Sequence, residues 1–162
     1  MSGRRFGRLD GRSPAPADEA FLEALYLDTR PDLAALPVPR GVIEGIGRHQ
    51  RRLQRDDYAR RYPASEIWLV CDAGQPVARL VLDRTGGMLR VVDLSVALDA
   101  RRRGVARALL RCLQEECDVV ALRVRADNVA ARALYAGLGF VTLRDDGASL
   151  ELVWTSRPLH PD

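Results

Sequence analysis

Three consecutive arginines stand where a predicted buried strand gives way to a helix. The segment runs Leu94-Ser-Val-Ala-Leu-Asp-Ala-Arg-Arg-Arg-Gly-Val-Ala-Arg-Ala-Leu-Leu110, and Arg101–Arg103 fill the turn and the first helical positions. The amino end of a helix carries about half a positive charge, so cations are disfavoured there. A bound polyanion would remove this conflict, because backbone N–H groups, the helix dipole and the guanidinium groups would face the same phosphates. A solvated arginine run is the other interpretation.

A second segment places a tyrosine two helical turns after an asparagine. It reads Asp127-Asn-Val-Ala-Ala-Arg-Ala-Leu-Tyr-Ala-Gly-Leu-Gly-Phe140. Asn128 lies where a strand gives way to a helix, which predicts a helix N-cap. Tyr135 shares a helical face with Asn128 and Arg132 through i, i+4, i+7 spacing. Taken alone, such a tyrosine is more typical of an amphipathic core position than of a catalytic one.

Composition and charge limit the class of protein. The chain has 162 residues, of which 47% are hydrophobic and 29% charged, and this indicates a globular protein with one core of ordinary size. All 25 basic residues are arginine, against 22 acidic residues, for a formal net charge of +3. So small an excess does not favour nucleic-acid binding unless the arginines cluster on one face. Genome composition is the simplest reason for the absence of lysine.

Other features favour a cytoplasmic protein. No apolar run approaches the roughly 20 residues that span a bilayer. The N-terminal segment has basic residues but no hydrophobic stretch behind them, unlike a secretory signal. Cys71, Cys112 and Cys117 are an odd number without metal-ligand spacing, which indicates reduced thiols that fill small apolar spaces. We therefore expect no metal, no membrane and no nucleic acid as partners.

Hydrophobic periodicity predicts the elements that position the two segments. The predicted helices are 18–28, 41–61, 102–117 and 128–138. The predicted strands are 4–9, 66–71, 76–83, 88–97, 119–125, 140–144 and 149–154. This order is typical of a mixed α/β (α+β) fold, and we expect one domain over 1–162 with looser ends at 1–16 and 157–162.

Two details concern the first pair of helices. Asp18 is predicted to cap the first helix. In the second helix, Val42, Ile46, His49 and Leu53 recur at helical spacing, which predicts an apolar stripe with a core histidine on it. A role for His49 in a substrate cleft is the alternative.

Together the two segments resemble the GNAT superfamily of acetyl-CoA-dependent N-acetyltransferases. The pyrophosphate-loop pattern of that superfamily, Gln/Arg-x-x-Gly-x-Gly/Ala, stands here as Arg101, Gly104 and Ala106. Its later pattern, Asn-x-x-Ala-x-x-Leu-Tyr-x-x-x-Gly-Phe, stands as Asn128, Ala131, Leu134, Tyr135, Gly139 and Phe140. The motifs cover about 88–140, and the order of elements extends the resemblance to about 4–154. The N-terminal half also resembles a bacterial subgroup.

The resemblance implies a GNAT-like mixed, mostly antiparallel central sheet of six or seven strands, splayed in the middle and flanked by about four helices. The strand that ends at Val96 would carry a bulge and diverge from the strand 119–125, and the pantetheine arm of acetyl-CoA would lie in the gap. The implied cofactor-binding residues are Leu94, Ser95, Val96, Arg101, Arg102, Arg103, Gly104, Val105, Ala106, Asn128 and Tyr135.

The resemblance also implies catalytic roles. Tyr135 would point its hydroxyl at the cofactor sulfur and stabilise or protonate the departing thiolate. Several members of the superfamily place a glutamate base at the position that Val92 occupies here, so that base is missing. Asp93 is adjacent, but strict alternation puts it on the other face of the strand unless a bulge re-aims it. Asp93, as base or substrate contact, and an ordered water as base stay open as alternatives.

The implied function is acetyl transfer to a primary amine by direct attack, with a small molecule or a peptide as the acceptor. The alternative is a module of the same fold that binds acyl-CoA without chemistry, and the missing glutamate at Val92 keeps it open. The acceptor is not identified, because the loops and the first two helices, where no motif applies, set its identity. The resemblance allows a monomer or a homodimer, and we favour the homodimer.

Overall fold

An eight-stranded sheet organises the protein in a computed structural model that describes residues 3–158. The strands are β1 (Arg4–Phe6), β2 (Leu9–Arg12), β3 (Glu66–Asp72), β4 (Gln75–Thr85), β5 (Met88–Val96), β6 (Val119–Arg125), β7 (Val141–Asp145) and β8 (Ser149–Thr155). The helices are α1 (Glu19–Asp28), α2 (Pro31–Ala34), α3 (Arg40–Arg61), α4 (Val105–Glu116) and α5 (Val129–Gly137). The strand order is β1-β2-β3-β4-β5-β6-β8-β7, and neighbours are antiparallel except for β5 and β6. The predicted mixed α/β fold is confirmed.

The sheet has one strand more than the six or seven expected, because residues 4–12 form a hairpin instead of a single strand. Gly7 turns the chain with a φ of 62°, a conformation that glycine adopts without a steric penalty. Phe6 and Leu9 on either side of the turn are fully buried. This part of the N-terminal segment, which we expected to be loose, is therefore an ordered edge of the sheet. Most of the tail at 157–162 lies outside the described residues.

The apolar stripe of α4 anchors this helix to the sheet. Val105, Leu109, Leu110 and Leu113 are buried at helical spacing, and α4 packs on β1, β2, β5 and β6. Burial of each such leucine contributes about 1.5–3 kcal/mol. The helix begins at Val105, later than the predicted start at 102, because the preceding residues turn the chain with positive φ angles.

The buried side of α3 differs from the predicted apolar stripe. Leu53 is 54% exposed and His49 is exposed, so the prediction of a core histidine is wrong. The side turned inward carries Gly47, where an added Cβ would come within 2.7 Å of the Leu27 side chain of α1. This close approach of two helices determines which side of α3 is covered, and it brings Gln54 toward the sheet.

The carboxylate of Asp18 does not cap α1, although Asp18 stands directly before that helix. Its two oxygens accept from Arg12 Nη1 and Nη2 at 2.7 and 2.8 Å, and Oδ2 also accepts from the Ala15 amide at 2.7 Å. The side chain therefore ties the start of α1 to β2 rather than to the first turn of its own helix.

The central pair of strands, β5 and β6, separates after a short parallel contact. Leu89–Val91 pair with Val120–Leu122, and beyond this point the two strands diverge toward their carboxyl ends. The splay implied by the motif resemblance is confirmed. In residues 3–158 no helix is both long and apolar enough to cross a membrane.

Candidate active site

A bulge in β5 turns a carboxylate onto the face of the sheet that carries Arg79. Val92 is the extra residue where β5 pairs with β4, so the register shifts between Val91 and Asp93. Because of this shift, Asp93 lies on the same face as Arg90 and not with the buried Val91. The bulge that the resemblance implied is confirmed, and it removes the objection that strand alternation puts Asp93 on the wrong face.

Two side chains hold Asp93 in place. Arg79 Nε and Nη2 donate to Asp93 Oδ2 at 3.0 and 2.8 Å, and Ser95 Oγ donates to the same oxygen at 3.1 Å. Arg79 Nη2 also donates to Gln54 Oε1 at 3.0 Å, which ties α3 to the site. The side chains of Arg79 and Asp93 are only 13% and 18% exposed, so loss of either partner would leave a poorly hydrated, uncompensated charge.

Arg79 and Gln54 are site residues that the sequence patterns did not predict. Arg79 carries a local signal, since it interrupts the otherwise apolar run from Val77 to Leu82 in β4. A charge within a buried strand needs a partner, and the partner indicates a site. Gln54 carries no comparable signal, because a polar residue on a long polar helix is common.

A cavity of about 270 Å³ opens between α1 and the separated ends of β5 and β6. We call it the β5–β6 cleft. Asp93, Leu94 and Ser95 line it from β5, Val124 lines it from β6, and Asn128 lines it from the start of α5. In this stretch β5 pairs with β4 alone, so the other edge of β5 presents backbone N–H and C=O groups to the cleft.

The loop between β5 and α4 presents further backbone donors. Arg102 and Gly104 have φ angles of 64° and 73°, which turn the chain sharply into α4. The bond from Ala108 N–H to the Gly104 carbonyl oxygen is 2.9 Å long, and the amides of Val105 and Ala106 precede it. Those amides have no intrahelical acceptor and lie at the positive end of the helix dipole. The donor set fits an anion with several oxygens, such as a pyrophosphate.

The side chain of Arg101 bonds to backbone carbonyl groups of the fold, unlike the exposed side chains of Arg102–Arg103. Arg101 Nε donates to the carbonyl oxygen of Val96 at 3.1 Å, and its Nη2 donates to that of Asp28 at 3.0 Å. Arg101 therefore ties the loop to the end of α1, whereas the side chains of Arg102–Arg103 are exposed at the start of α4.

Asn128 and Tyr135 of the second motif take separate positions, at the N-cap and within α5. Asn128 Oδ1 accepts from the Ala131 amide at 3.2 Å, which confirms the predicted N-cap. The Tyr135 ring is half-buried and meets Phe140 edge-to-face, with 5.7 Å between ring centroids. Burial raises the pKa of Tyr135 to about 12, and the negative charge of Asp93 adds to the rise. The phenol therefore stays protonated well above neutral pH.

A second phenol also lies within electrostatic reach of Asp93. Burial raises the pKa of Tyr58 on α3 to about 12, and the Asp93 charge is the next cause of the rise. The negative charge of Asp93 therefore acts on phenols of both α3 and α5. Within residues 3–158, no group of three or more His, Cys, Asp or Glu side chains could hold a metal ion.

Comparisons with solved structures find the same fold in several acetyltransferases. The chain is similar to the structure of the PaiA N-acetyltransferase from Thermoplasma acidophilum in complex with coenzyme A, with a TM-score of 0.64 and 13% identity over 91% of this chain and 98% of that one. It is also similar to an acetyltransferase from Thermus thermophilus, with a TM-score of 0.65 and 20% identity over 94% of this chain and 99% of that one. A third similar structure is the ribosomal-protein-S18-alanine N-acetyltransferase from Escherichia coli, with a TM-score of 0.60 and 20% identity over 94% of this chain and 96% of that one.

At these identities the solved structures show a shared fold. The sequence itself matches the model of the Acetyltransferase (GNAT) family over residues 22–140. This range holds the splayed strands β5 and β6, the loop before α4 and both motif segments. The chain therefore belongs to the GNAT family of acetyltransferases.

Proposed function

We propose that the protein transfers the acetyl group of acetyl-CoA to a primary amine by direct attack of the amine on the thioester. The β5–β6 cleft is the observation that carries this proposal. It combines a free strand edge and a fixed carboxylate within one opening of the sheet, and the loop that follows β5 along the chain carries the amides at the start of α4.

In this proposal, backbone groups of β5 and of the loop before α4 make the main contacts with acetyl-CoA. The free edge of β5, at Leu94 and at the N–H of Val96, would bond the amides of the pantetheine arm, as one strand bonds another. The Val96 carbonyl oxygen already accepts from Arg101. The amides at Gly104–Ala106 would hold the pyrophosphate, with the Arg102–Arg103 side chains in reach of the phosphates. Asn128 lines the same cleft and would contact the pantetheine arm. Arg101 is a positioning residue in this assignment, because its guanidinium is bonded to backbone carbonyls.

The transfer step needs a base for the amine and stabilisation for the leaving sulfur. The amine nitrogen forms a bond to the thioester carbon, the carbon–sulfur bond breaks, and the sulfur departs with the electron pair. Tyr135 would donate a hydrogen bond to that thiolate. With a pKa of about 12 the phenol is a weaker acid than an ordinary thiol, whose pKa is near 8.5, so it stabilises the thiolate without giving up its proton.

Asp93 is assigned to the acceptor. Its Oδ2 accepts two bonds from Arg79 and one from Ser95, whereas Oδ1 has only a 3.3 Å contact with Ser95. Oδ1 therefore has lone pairs available for an ammonium group in the cleft. Asp93 would bind and orient the acceptor, and either Asp93 or an ordered water would take the proton.

The test combines binding and turnover. Acetyl-CoA at about 100 times its Kd should stabilise the fold by about 2.7 kcal/mol and raise Tm by about 5–10 °C. ATP, which carries phosphates without a pantetheine arm, is the matched control and should give a smaller rise. Incubation with a panel of primary amines should then release free thiol. An absent Tm shift contradicts the proposal, and a shift without thiol release for any amine favours the non-catalytic acyl-CoA-binding module.

A further inference from the structure

A second cavity, of about 470 Å³, adjoins the β5–β6 cleft. We call it the arginine cavity, because Arg61, Arg90, Arg123 and Arg125 line it against one carboxylate, Glu151. Its volume lies within the usual range for small-molecule sites, about 300–1,000 Å³. The arginines come from α3, β5 and β6, so the fold and not a local motif gathers them.

The two cavities meet at β6. Arg123, Val124 and Arg125 line both of them, at the point where β6 leaves β5. Strand alternation and the pairing of Arg123 with Glu151 across β6 and β8 put these charged side chains on one face of the sheet. An acceptor whose amine lies at Asp93 would therefore extend its remaining part into the arginine cavity.

The carboxylate partners of three of the four arginines lie outside the cavity lining. These pairs are Arg61–Asp57, Arg123–Asp146 and Arg125–Asp127, at 3.3, 2.6 and 2.8 Å. The side chains of the three arginines are 57%, 56% and 78% exposed, and such solvated ion pairs contribute little to the stability of the fold. A guanidinium has five N–H donors, so each of these groups can bind a second oxyanion on its cavity side.

The remaining pair lies deeper. The side chains of Arg90 and Glu151 are only 23% and 24% exposed and neutralise each other. The residues that line the cavity therefore carry a net positive charge, because the aspartate partners of the three outer arginines lie outside the lining. Tyr58 and Tyr62 of the α3 end add aromatic surface to the same lining.

We infer that the acceptor is a primary amine that carries a carboxylate, with an apolar or aromatic body between the two groups. This inference rests on the proposed function, since it assigns the acceptor of that reaction. A guanidinium fork matches a carboxylate in shape and charge, and the tyrosine rings suit a flat body. The amine would lie at Asp93, and the carboxylate would contact Arg123 and Arg61.

Two matched probes isolate the charge. 4-(Aminomethyl)benzoate and 4-(aminomethyl)benzamide have the same amine and ring, and they differ in one negative charge. With acetyl-CoA as the donor and thiol release as the assay, kcat/KM for the acid should be at least tenfold higher than kcat/KM for the amide. Calorimetry in the presence of CoA should give at least tenfold tighter binding of the acid, independent of turnover.

Variants locate the effect in the cavity. Arg123→Gln, and separately Arg61→Gln, should bring the acid-to-amide ratio of kcat/KM close to one. The kcat/KM for the acid should fall, and that for the amide should not change. In Arg123→Gln the turn between β7 and β8 should keep its structure, although Asp146 loses its pair with Arg123. Asp146 Oδ1 also accepts hydrogen bonds from the amides of Ala148 and Ser149 in that turn. Arg5→Gln is the control: Arg5 is an exposed strand arginine paired with a carboxylate at 3.2 Å, on β1 at the far edge of the sheet. It should leave the ratio unchanged.

The outcomes separate the two proposals. Equal use of acid and amide, or an unchanged ratio in Arg123→Gln, overturns the carboxylate assignment and leaves acetyl transfer intact. A third probe, 4-(aminomethyl)phenylphosphonate, has the same amine and ring as the acid; a more than tenfold preference for it over the acid also overturns the carboxylate assignment, in favour of a phosphorylated acceptor. If no amine releases thiol, the proposed function fails, and the calorimetric comparison still decides whether the cavity binds a carboxylate.

Discussion

Arg79 on β4 donates from both Nε and Nη2 to one oxygen of Asp93 on β5, at 3.0 and 2.8 Å. The neighbouring Ser95 hydroxyl donates to the same oxygen. This one-sided arrangement leaves the other carboxylate oxygen for a ligand. In the proposed reaction Arg79 is therefore a positioning residue, and Asp93 is the group that touches the acceptor.

Substitution of Arg79 should disturb turnover more than cofactor binding. We expect Arg79→Gln to lower kcat about 10–100-fold, because a misplaced acceptor loses its attack geometry. The Kd for acetyl-CoA, measured by calorimetry, should stay within about twofold, and Arg79→Lys should restore part of the rate.

Arg84→Gln is the control for Arg79→Gln. Arg84 lies on the same strand, 46% exposed, and pairs with Glu66 and Glu116 away from the cleft. It should leave kcat nearly unchanged. Equal losses of rate in the two variants would show that Arg79 acts only through general stability.

Removal of the Tyr135 hydroxyl should lower turnover and spare affinity. We expect Tyr135→Phe to reduce kcat about 100-fold, with the Kd for acetyl-CoA unchanged within about twofold. In absorbance titrations, the difference between wild type and variant should show one phenol that ionises near pH 12, above the usual value near 10. Turnover that matches wild type at every pH would transfer the leaving-group role to water.

Gly104 should matter for cofactor binding beyond its effect on stability. Gly104 and Gly86 have φ angles of 73° and 62°, and an added Cβ would meet nothing within 4 Å at either. Alanine should therefore cost about 1–2 kcal/mol at both positions. Only Gly104 borders the amides assigned to the pyrophosphate, so Gly104→Ala should weaken CoA binding at least tenfold and Gly86→Ala should not. Equal Kd values in the two variants would exclude a pyrophosphate at this loop.

Asp18 should make stability sensitive to acid. The Arg12 guanidinium and the Ala15 amide hold the pKa of Asp18 down at about 2. A carboxyl whose folded pKa is depressed stabilises the fold above its unfolded pKa, near 3.9, and that stability is lost as the pH falls from about 4 to about 2. Asp18→Asn should cost about 1–3 kcal/mol at pH 7 and lower Tm by about 3–10 °C.

The pH dependence of Tm distinguishes this contribution from a general loss of packing. Below about pH 2 the Tm curves of wild type and Asp18→Asn should converge. Asp10→Asn, which removes a 55% exposed carboxylate from its pair with Arg5, should change Tm by less than about 2 °C. A constant gap between wild type and Asp18→Asn from pH 7 to pH 2 would contradict the assigned pKa.

Local patterns predicted the elements but not all of their contacts. The buried stripe of α4 and the Asn128 cap follow from spacings within a single helix, and both are present in the structure. The stripe predicted for α3 is wrong, because a close contact with Leu27 of another helix at Gly47 covers a different side. The Asp18 carboxylate likewise binds the Arg12 guanidinium of β2 and not the first turn of the helix that it precedes.

The sequence by itself determined the order of helices and strands apart from the β1–β2 hairpin and α2, and it determined the two motif segments and the family. These features depend on periodicity and turn chemistry over stretches of about 10–20 residues, which a chain carries locally. Only the tertiary structure decided that a bulge at Val92 brings Asp93 to Arg79, and that three elements gather arginines into one cavity. A bulge breaks the alternation from which faces are predicted, and contacts between distant elements depend on the register and packing of the whole sheet.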